Sequence, residues 1–80
     1  MYCLNDIVPG EKARVLSQST AGGLRRRLLD IGLVEGTEVE CVGKSPGGDP
    51  RAYLIRGAVI ALRASDCKKI VVDRENAAWG

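Results

Sequence analysis

The chain has 80 residues, which is enough for one domain, and its net charge of +2 is too small to indicate a nucleic-acid partner by itself. Hydrophobic residues make up 45% of the sequence, yet no stretch is long and apolar enough to span a bilayer. The first residues lack the basic and apolar segments of a signal peptide, so we expect a cytoplasmic protein without direct membrane insertion.

The first predicted element is a strand at residues 12–18. Its alternation places Ala13, Val15 and Ser17 on one face. A Gly-rich connector follows at residues 20–23, and the period of the apolar residues changes after it.

A short helix is predicted at residues 23–31. Leu24, Leu28 and Ile31 recur at the i, i+4 and i+7 positions of one helical face. Gly32 stands where the end of a helix favours a positive φ. So short a helix must pack on a sheet to be stable.

Turn formers and alternating segments predict the second half of the domain. The predicted elements are strands at residues 37–43, 52–56, 59–63 and 70–73, a tight turn at 57–58, and one helical turn at 64–68 capped by Ser65. Short strands with one inserted helix indicate a mostly β fold, a small and strongly bent barrel of about five strands. We assign residues 1–73 to this domain and residues 74–80 to a flexible tail.

The helix carries the first candidate binding feature, three consecutive arginines at residues 25–27. Successive helical residues lie 100° apart, so the three side chains point in different directions and Arg26 points away from the core. Asp30 can pair with Arg26 at the i+4 position. Two interpretations stay open: a solvated, partly ion-paired face, and a face that binds a partner.

Leu29 is the second candidate feature, because the helical wheel places it off the core face. If exposed, it would lie beside Leu33 and Val34 in a small apolar patch rimmed by charge, which is typical of a partner site. The alternative is that the connector or a loop covers it.

The third candidate is the loop at residues 45–50. Its glycine pair does not lead into a helix and lacks the ending of a phosphate-binding loop. Loops on a rigid scaffold often carry binding residues, so Pro46 and Asp49 are candidate contacts.

The residue types of this chain give little support for catalysis or for a tight metal site. The chain has no histidine and three widely spaced cysteines, so we expect no enzyme activity, no cofactor and no metal site. Two alternatives to protein binding remain. One is a metal-binding module or iron carrier that holds Fe(II) or Zn(II) through Cys3, Cys41 and Cys67. The other is an RNA-binding barrel, for which aromatic stacking residues are few.

Several segments, in order, resemble one known family. They are RRLLDIGL at residues 26–33, EGTEV at 35–39, SPGGDP at 45–50, and RG with IALR at 56–63. This series is similar to that of the FeoA family, ferrous iron transport protein A. The resemblance extends over nearly the whole chain up to Val72.

The resemblance implies an SH3-like barrel that acts in bacterial ferrous iron uptake. It further implies a partner, the membrane transporter FeoB with its cytoplasmic GTPase domain, and a regulatory role by protein–protein contact. On this interpretation the candidate contact residues are Arg26, Leu29, Leu33, Pro46 and Asp49. We expect no nucleic-acid partner, and the oligomeric state stays open.

Overall fold

The structure, a computed structural model, describes residues 2–75, which form one six-stranded sheet and two short α-helices. The strands are β1 (Tyr2–Cys3), β2 (Lys12–Gln18), β3 (Glu38–Lys44), β4 (Arg51–Ile55), β5 (Ala58–Leu62) and β6 (Ile70–Glu75), the helices are α1 (Gly22–Asp30) and α2 (Ala64–Cys67), and a 3-10 turn spans Leu4–Asp6. Within this range, no helix has the length and apolar character needed to cross a membrane.

The sheet runs in the order β1-β6-β2-β3-β4-β5, and every neighbouring pair is antiparallel. Two β-bulges interrupt the register, one between Val15 and Ser17 and one between Cys41 and Gly43. Bulges bend strands and increase their twist, so the sheet curls around one core. The predicted mostly β fold with one inserted helix is confirmed, with β1 as an additional strand.

The core consists of small branched side chains around one tyrosine. Tyr53 is its largest buried residue, and Leu24, Ile31 and Ile60 pack against it from the margin. The buried set is Leu4, Ile7, Ala13, Val15, Leu28, Leu33, Val39, Cys41, Tyr53, Ile55, Leu62, Cys67, Ile70 and Val72.

The bulge in β2 corrects one predicted orientation. Ala13 and Val15 share the buried face of the strand, but Ser17, which was predicted to lie on the same face, is exposed. The inserted residue at the bulge, Leu16, shifts the side-chain alternation of the strand by one position.

The last strand runs two residues further than the predicted strand at residues 70–73. Strand β6 continues to Glu75, and Arg74 pairs with Ala13 in the sheet while its guanidinium forms an ion pair with Glu11. The other predicted tail residues, 76–80, lie outside the described residues.

Two local predictions in the second half are also corrected. The hairpin turn between β4 and β5 is formed by Arg56 and Gly57, with φ values of +49° and +85°. Helix α2 is capped at long range, because the N–H of Ala64 donates to Asp49 Oδ1 at 2.9 Å. Ser65 therefore does not cap the helix; Arg63 occupies the N-cap position.

Candidate functional site

Helix α1 packs on the sheet through one narrow face. Leu28 is fully buried, and Leu24 and Ile31 pack against the core at the predicted spacing. Gly32 follows with a φ of +91°. The predicted helix face and its glycine end are thus confirmed, and the remaining surface of α1 faces away from the core.

The turn after α1 decides where Leu33 lies. The N–H of Gly32 donates to the Leu29 carbonyl at 3.0 Å. The N–H of Leu33 donates to the Leu28 carbonyl at 2.8 Å. These bonds form a Schellman turn, which folds the residue after the glycine back onto the last helical turn. Leu33 is therefore 0% exposed, and the prediction that it contacts a partner is wrong; the neighbouring Val34 is 50% exposed.

The outer surface of α1 forms an open depression that we call the α1 shelf. Five residues line it: Gly22, Arg25, Arg26, Leu29 and Asp30. Its volume is about 460 Å³. Leu29 is 43% exposed, so neither the connector nor a loop covers it. The structure thus brings two of the predicted contact residues, Arg26 and Leu29, onto one surface.

The sequence pattern already contained the signal for the rest of the shelf. Gly22, Arg25 or Arg26, and Leu29 follow each other at i, i+3 or i+4, and i+7. This is the spacing of a second helical stripe, beside the stripe that packs on the core. Arg25 belongs to the predicted arginine run but not to the predicted contact residues, and its place on this stripe puts it beside Leu29.

The charges of the shelf are available for an external partner. Among residues 2–75, the ion pairs within 4.0 Å join Arg14 to Glu38 and Arg74 to Glu11. The proposed pairing of Arg26 with Asp30 is not formed. Within the same range the exposed Arg25 and Arg26 form no ion pair, so their donors are open to a carboxylate on another molecule.

The loop candidates lie apart from the shelf. Pro46 is exposed, on a turn closed by a bond from the Gly48 N–H to the Ser45 carbonyl at 2.7 Å. Asp49 is committed to the cap of α2 described above. Neither residue borders the depression on α1, so the two predicted contact regions do not form one continuous site.

The buried thiols surround Tyr53 and belong to the core. Cys41 pairs with Tyr53 across β3 and β4, and the Cys67 thiol lies 3.4 Å from the Tyr53 hydroxyl. Burial raises the pKa of both thiols, which keeps them protonated. Cys3 is partly buried on β1, and within the described part of the chain no three His, Cys, Asp or Glu side chains are grouped to hold a metal ion. The idea that the cysteines converge on a metal is therefore not supported.

The bent antiparallel sheet, curled around one core, places the chain among small β domains of the SH3-like class. A family model for the FeoA domain matches residues 2–74. The chain belongs to the FeoA family, as its sequence motifs indicated.

Solved structures of relatives share the fold over most of the chain. The FeoA protein of Chlorobium tepidum is 30% identical, with a TM-score of 0.85 over 91% of this chain and 70% of that one. The FeoA of Stenotrophomonas maltophilia is 34% identical, with a TM-score of 0.78 over 91% of both chains. That protein was crystallised with zinc and is described as an SH3 domain protein possibly acting as a ferrous iron transport activating factor.

A curated relative joins this kind of domain to a transporter. It is a fusion of Fe(2+) transport protein A with the Fe(2+) transporter FeoB from Porphyromonas gingivalis, 31% identical over 70 residues. The match covers 88% of this chain, which spans 8% of the length of the fusion protein.

Proposed function

We propose that this protein is a cytoplasmic accessory factor of ferrous iron uptake that binds a FeoB-type transporter through the α1 shelf and regulates it. The observation that carries the proposal is the exposed Leu29 beside Arg25 and Arg26, which form no ion pair within residues 2–75, on a helix whose opposite face packs on the core. The fusion protein of Porphyromonas gingivalis supports the choice of partner, because domains joined in one chain in one organism often associate as separate chains in another.

The shelf has the composition of a small protein-binding site. Leu29 supplies an apolar anchor, and covering its exposed part would contribute on the order of 1 kcal/mol. Arg25 and Arg26 supply charge-assisted hydrogen bonds that set the orientation of the partner. Arginine and buried apolar anchors are the residues that dominate the energy of many interfaces. We therefore expect the transporter to present an acidic segment with an apolar side chain.

Regulation then requires that the shelf bind two states of the transporter with different affinity. A ligand shifts a conformational equilibrium only by its differential affinity for the two states. The family resemblance implies a cytoplasmic GTPase domain in the transporter, and the switch segments of GTPases order and release with the nucleotide. We therefore expect affinity for this protein to depend on the nucleotide bound.

Charge reversal and loss of the apolar anchor test the shelf directly. We expect Arg26→Glu and Leu29→Asp each to weaken binding to the cytoplasmic part of FeoB at least about tenfold. Isothermal calorimetry measures the affinity, and NMR of the labelled domain maps the surface that changes. Two matched controls, Lys12→Glu and Leu16→Asp, alter an exposed cation and a comparably exposed leucine on β2 and should bind normally.

Two results would count against this assignment. Normal binding by both shelf variants, with their folds intact, would move the contact to another surface, such as the loop at residues 45–50. An absence of chemical-shift changes at high concentration of the GTPase domain would remove that domain as the partner.

A further inference from the structure

Strand β5 (Ala58–Leu62) lies at the end of the sheet, and within residues 2–75 it pairs only with β4. Its pairing with β4 has no bulge. The other long side of β5 is an open row of backbone hydrogen-bonding groups, which is a template for another strand.

The hairpin geometry identifies which residues form this open row. The two-residue turn of Arg56 and Gly57 makes the flanking pair, Ile55 and Ala58, a hydrogen-bonded pair. Hydrogen-bonded and non-hydrogen-bonded pairs then alternate along the ladder. Val59 and Ala61 fall in non-hydrogen-bonded pairs, so their N–H and C=O groups point away from β4.

The usual protections of an edge strand are missing from β5. Its sequence, AVIAL, contains no charge and no proline. Val59 is 66% exposed, more than any other large hydrophobic side chain described. On the outer face of the sheet, Val59 lies opposite Leu54 and Ala61 lies opposite Ala52, so the apolar surface continues from the edge onto β4.

We propose that β5 is a self-association surface that pairs antiparallel with β5 of a second copy of this chain. With a two-fold axis at Ile60, Val59 of one copy lies opposite Ala61 of the other, and both outward-facing residues exchange backbone hydrogen bonds. In the same register Arg63 lies opposite Gly57 of the other copy, so no arginine faces an arginine. The strand is thus complementary to itself in backbone hydrogen bonding, and its own side chains bring no charge into the contact.

The dimer formed this way is weak. A five-residue pairing buries an area at the low end of specific interfaces, for which we expect a dissociation constant of about 0.1–1 mM. Attachment of several copies to a membrane protein would raise their local concentration into this range.

Sedimentation equilibrium up to about 2 mM protein tests the proposal. We expect the wild-type chain to dimerise as its concentration rises. Ala61→Pro removes an N–H that the ladder with β4 does not use, and should leave a monomer. Ala61→Val adds comparable bulk at the same exposed position but keeps the N–H, so it should dimerise like the wild type.

A second pair of variants keeps the test decisive if proline disturbs the fold. Val59→Lys places a charge on the edge and should also abolish dimerisation, whereas Leu16→Lys, at a residue 46% exposed on β2, should not. Monomeric wild-type protein at the highest concentration would overturn the proposal, as would unchanged dimerisation of folded Ala61→Pro and Val59→Lys variants.

Dimerisation through β5 can be tested independently of the proposed transporter contact. Arg26→Glu lies on α1 and should dimerise normally even where it no longer binds the transporter. Conversely, folded Val59→Lys protein should still bind the transporter domain. Failure of either measurement therefore identifies which of the two surfaces was wrongly assigned.

Discussion

At the scale of single residues, Tyr53 shows how this small core combines packing with polar contacts. Its hydroxyl donates to the Leu4 carbonyl at 3.3 Å and lies 3.4 Å from the Cys67 thiol. Burial and the neighbouring thiol raise the pKa of Tyr53, so the hydroxyl remains a donor at all physiological pH values. A buried tyrosine commonly needs such a partner for its polar end.

The effect of removing this hydroxyl on the stability of the fold should be measurable. We expect Tyr53→Phe to lower the free energy of unfolding by about 1 kcal/mol, because the Leu4 carbonyl loses its donor in a buried site. Urea denaturation measures the change. Tyr2→Phe is the control: its exposed ring would still lie under the Arg74 guanidinium, and its effect should stay within about 0.5 kcal/mol. Equal stability of Tyr53→Phe and the wild type would show that the hydroxyl contributes nothing.

At the scale of elements, the end of α1 and the β4–β5 hairpin are fitted to each other. Arg56 has a positive φ of +49°, which is uncommon outside glycine. Its side chain crosses Gly32, with the Nε atom 2.8 Å from the position that a Cβ on Gly32 would occupy. Gly32 therefore serves both its own left-handed backbone and the close approach of the hairpin.

Substitutions can separate the backbone requirement at Gly32 from the steric requirement that the Arg56 side chain imposes. We expect Gly32→Ala to destabilise the fold by more than about 1 kcal/mol, and by more than Gly36→Ala, which has a φ of +89° but open space around it. Thermal unfolding compares the two. The Arg56→Ala substitution should recover part of the loss in the Gly32→Ala background, because it removes the obstructing side chain. Gly43→Ala, with open space and no positive φ, is the neutral control.

At the scale of the whole molecule, the first loop and the last strand close the fold. The Glu11 carboxylate accepts a bond from the Val8 N–H at 2.8 Å and forms an ion pair with Arg74. The bond from Val8 and the contact with Arg74 hold the pKa of Glu11 below its ordinary value. Arg74 also lies over the Tyr2 ring at 4.9 Å, so one side chain links the loop to both ends of the described chain.

A fall in pH should weaken the contacts of Glu11 with Val8 and Arg74. Since the pKa of Glu11 is lowered in the folded state, its stabilisation is fully present above the unfolded value of about 4.3 and is lost as the pH falls through the folded value. We expect Glu11→Gln to be less stable than the wild type near neutral pH and to converge with it in acid. Urea denaturation across this pH range measures the difference. Glu35→Gln, on the exposed turn before β3, is the control and should run parallel to the wild type; a parallel curve for Glu11→Gln would contradict the expectation.

Local patterns in the sequence determined much of this protein. The spacing of Leu24, Leu28 and Ile31 predicted the helix and its packed face, and Gly32 predicted its end. The alternation of side chains between two faces predicted the first and last residues of β2 and β3 to within one residue. These features depend on contacts between residues close in sequence, whose geometry is set by the helical and strand periods themselves.

Only the tertiary structure decided the features that join distant segments. The Asp49 cap of α2 spans 15 residues, and the continuation of β6 depends on pairing with β2. The Schellman turn at Gly32 directs Leu33 back toward α1, but its burial also requires the core that the sheet forms there, which sequence spacing does not specify. The open α1 shelf and the free edge of β5 are likewise properties of what the rest of the fold leaves uncovered, since exposure is set by all neighbours in space and a sequence pattern reports only the neighbours along the chain.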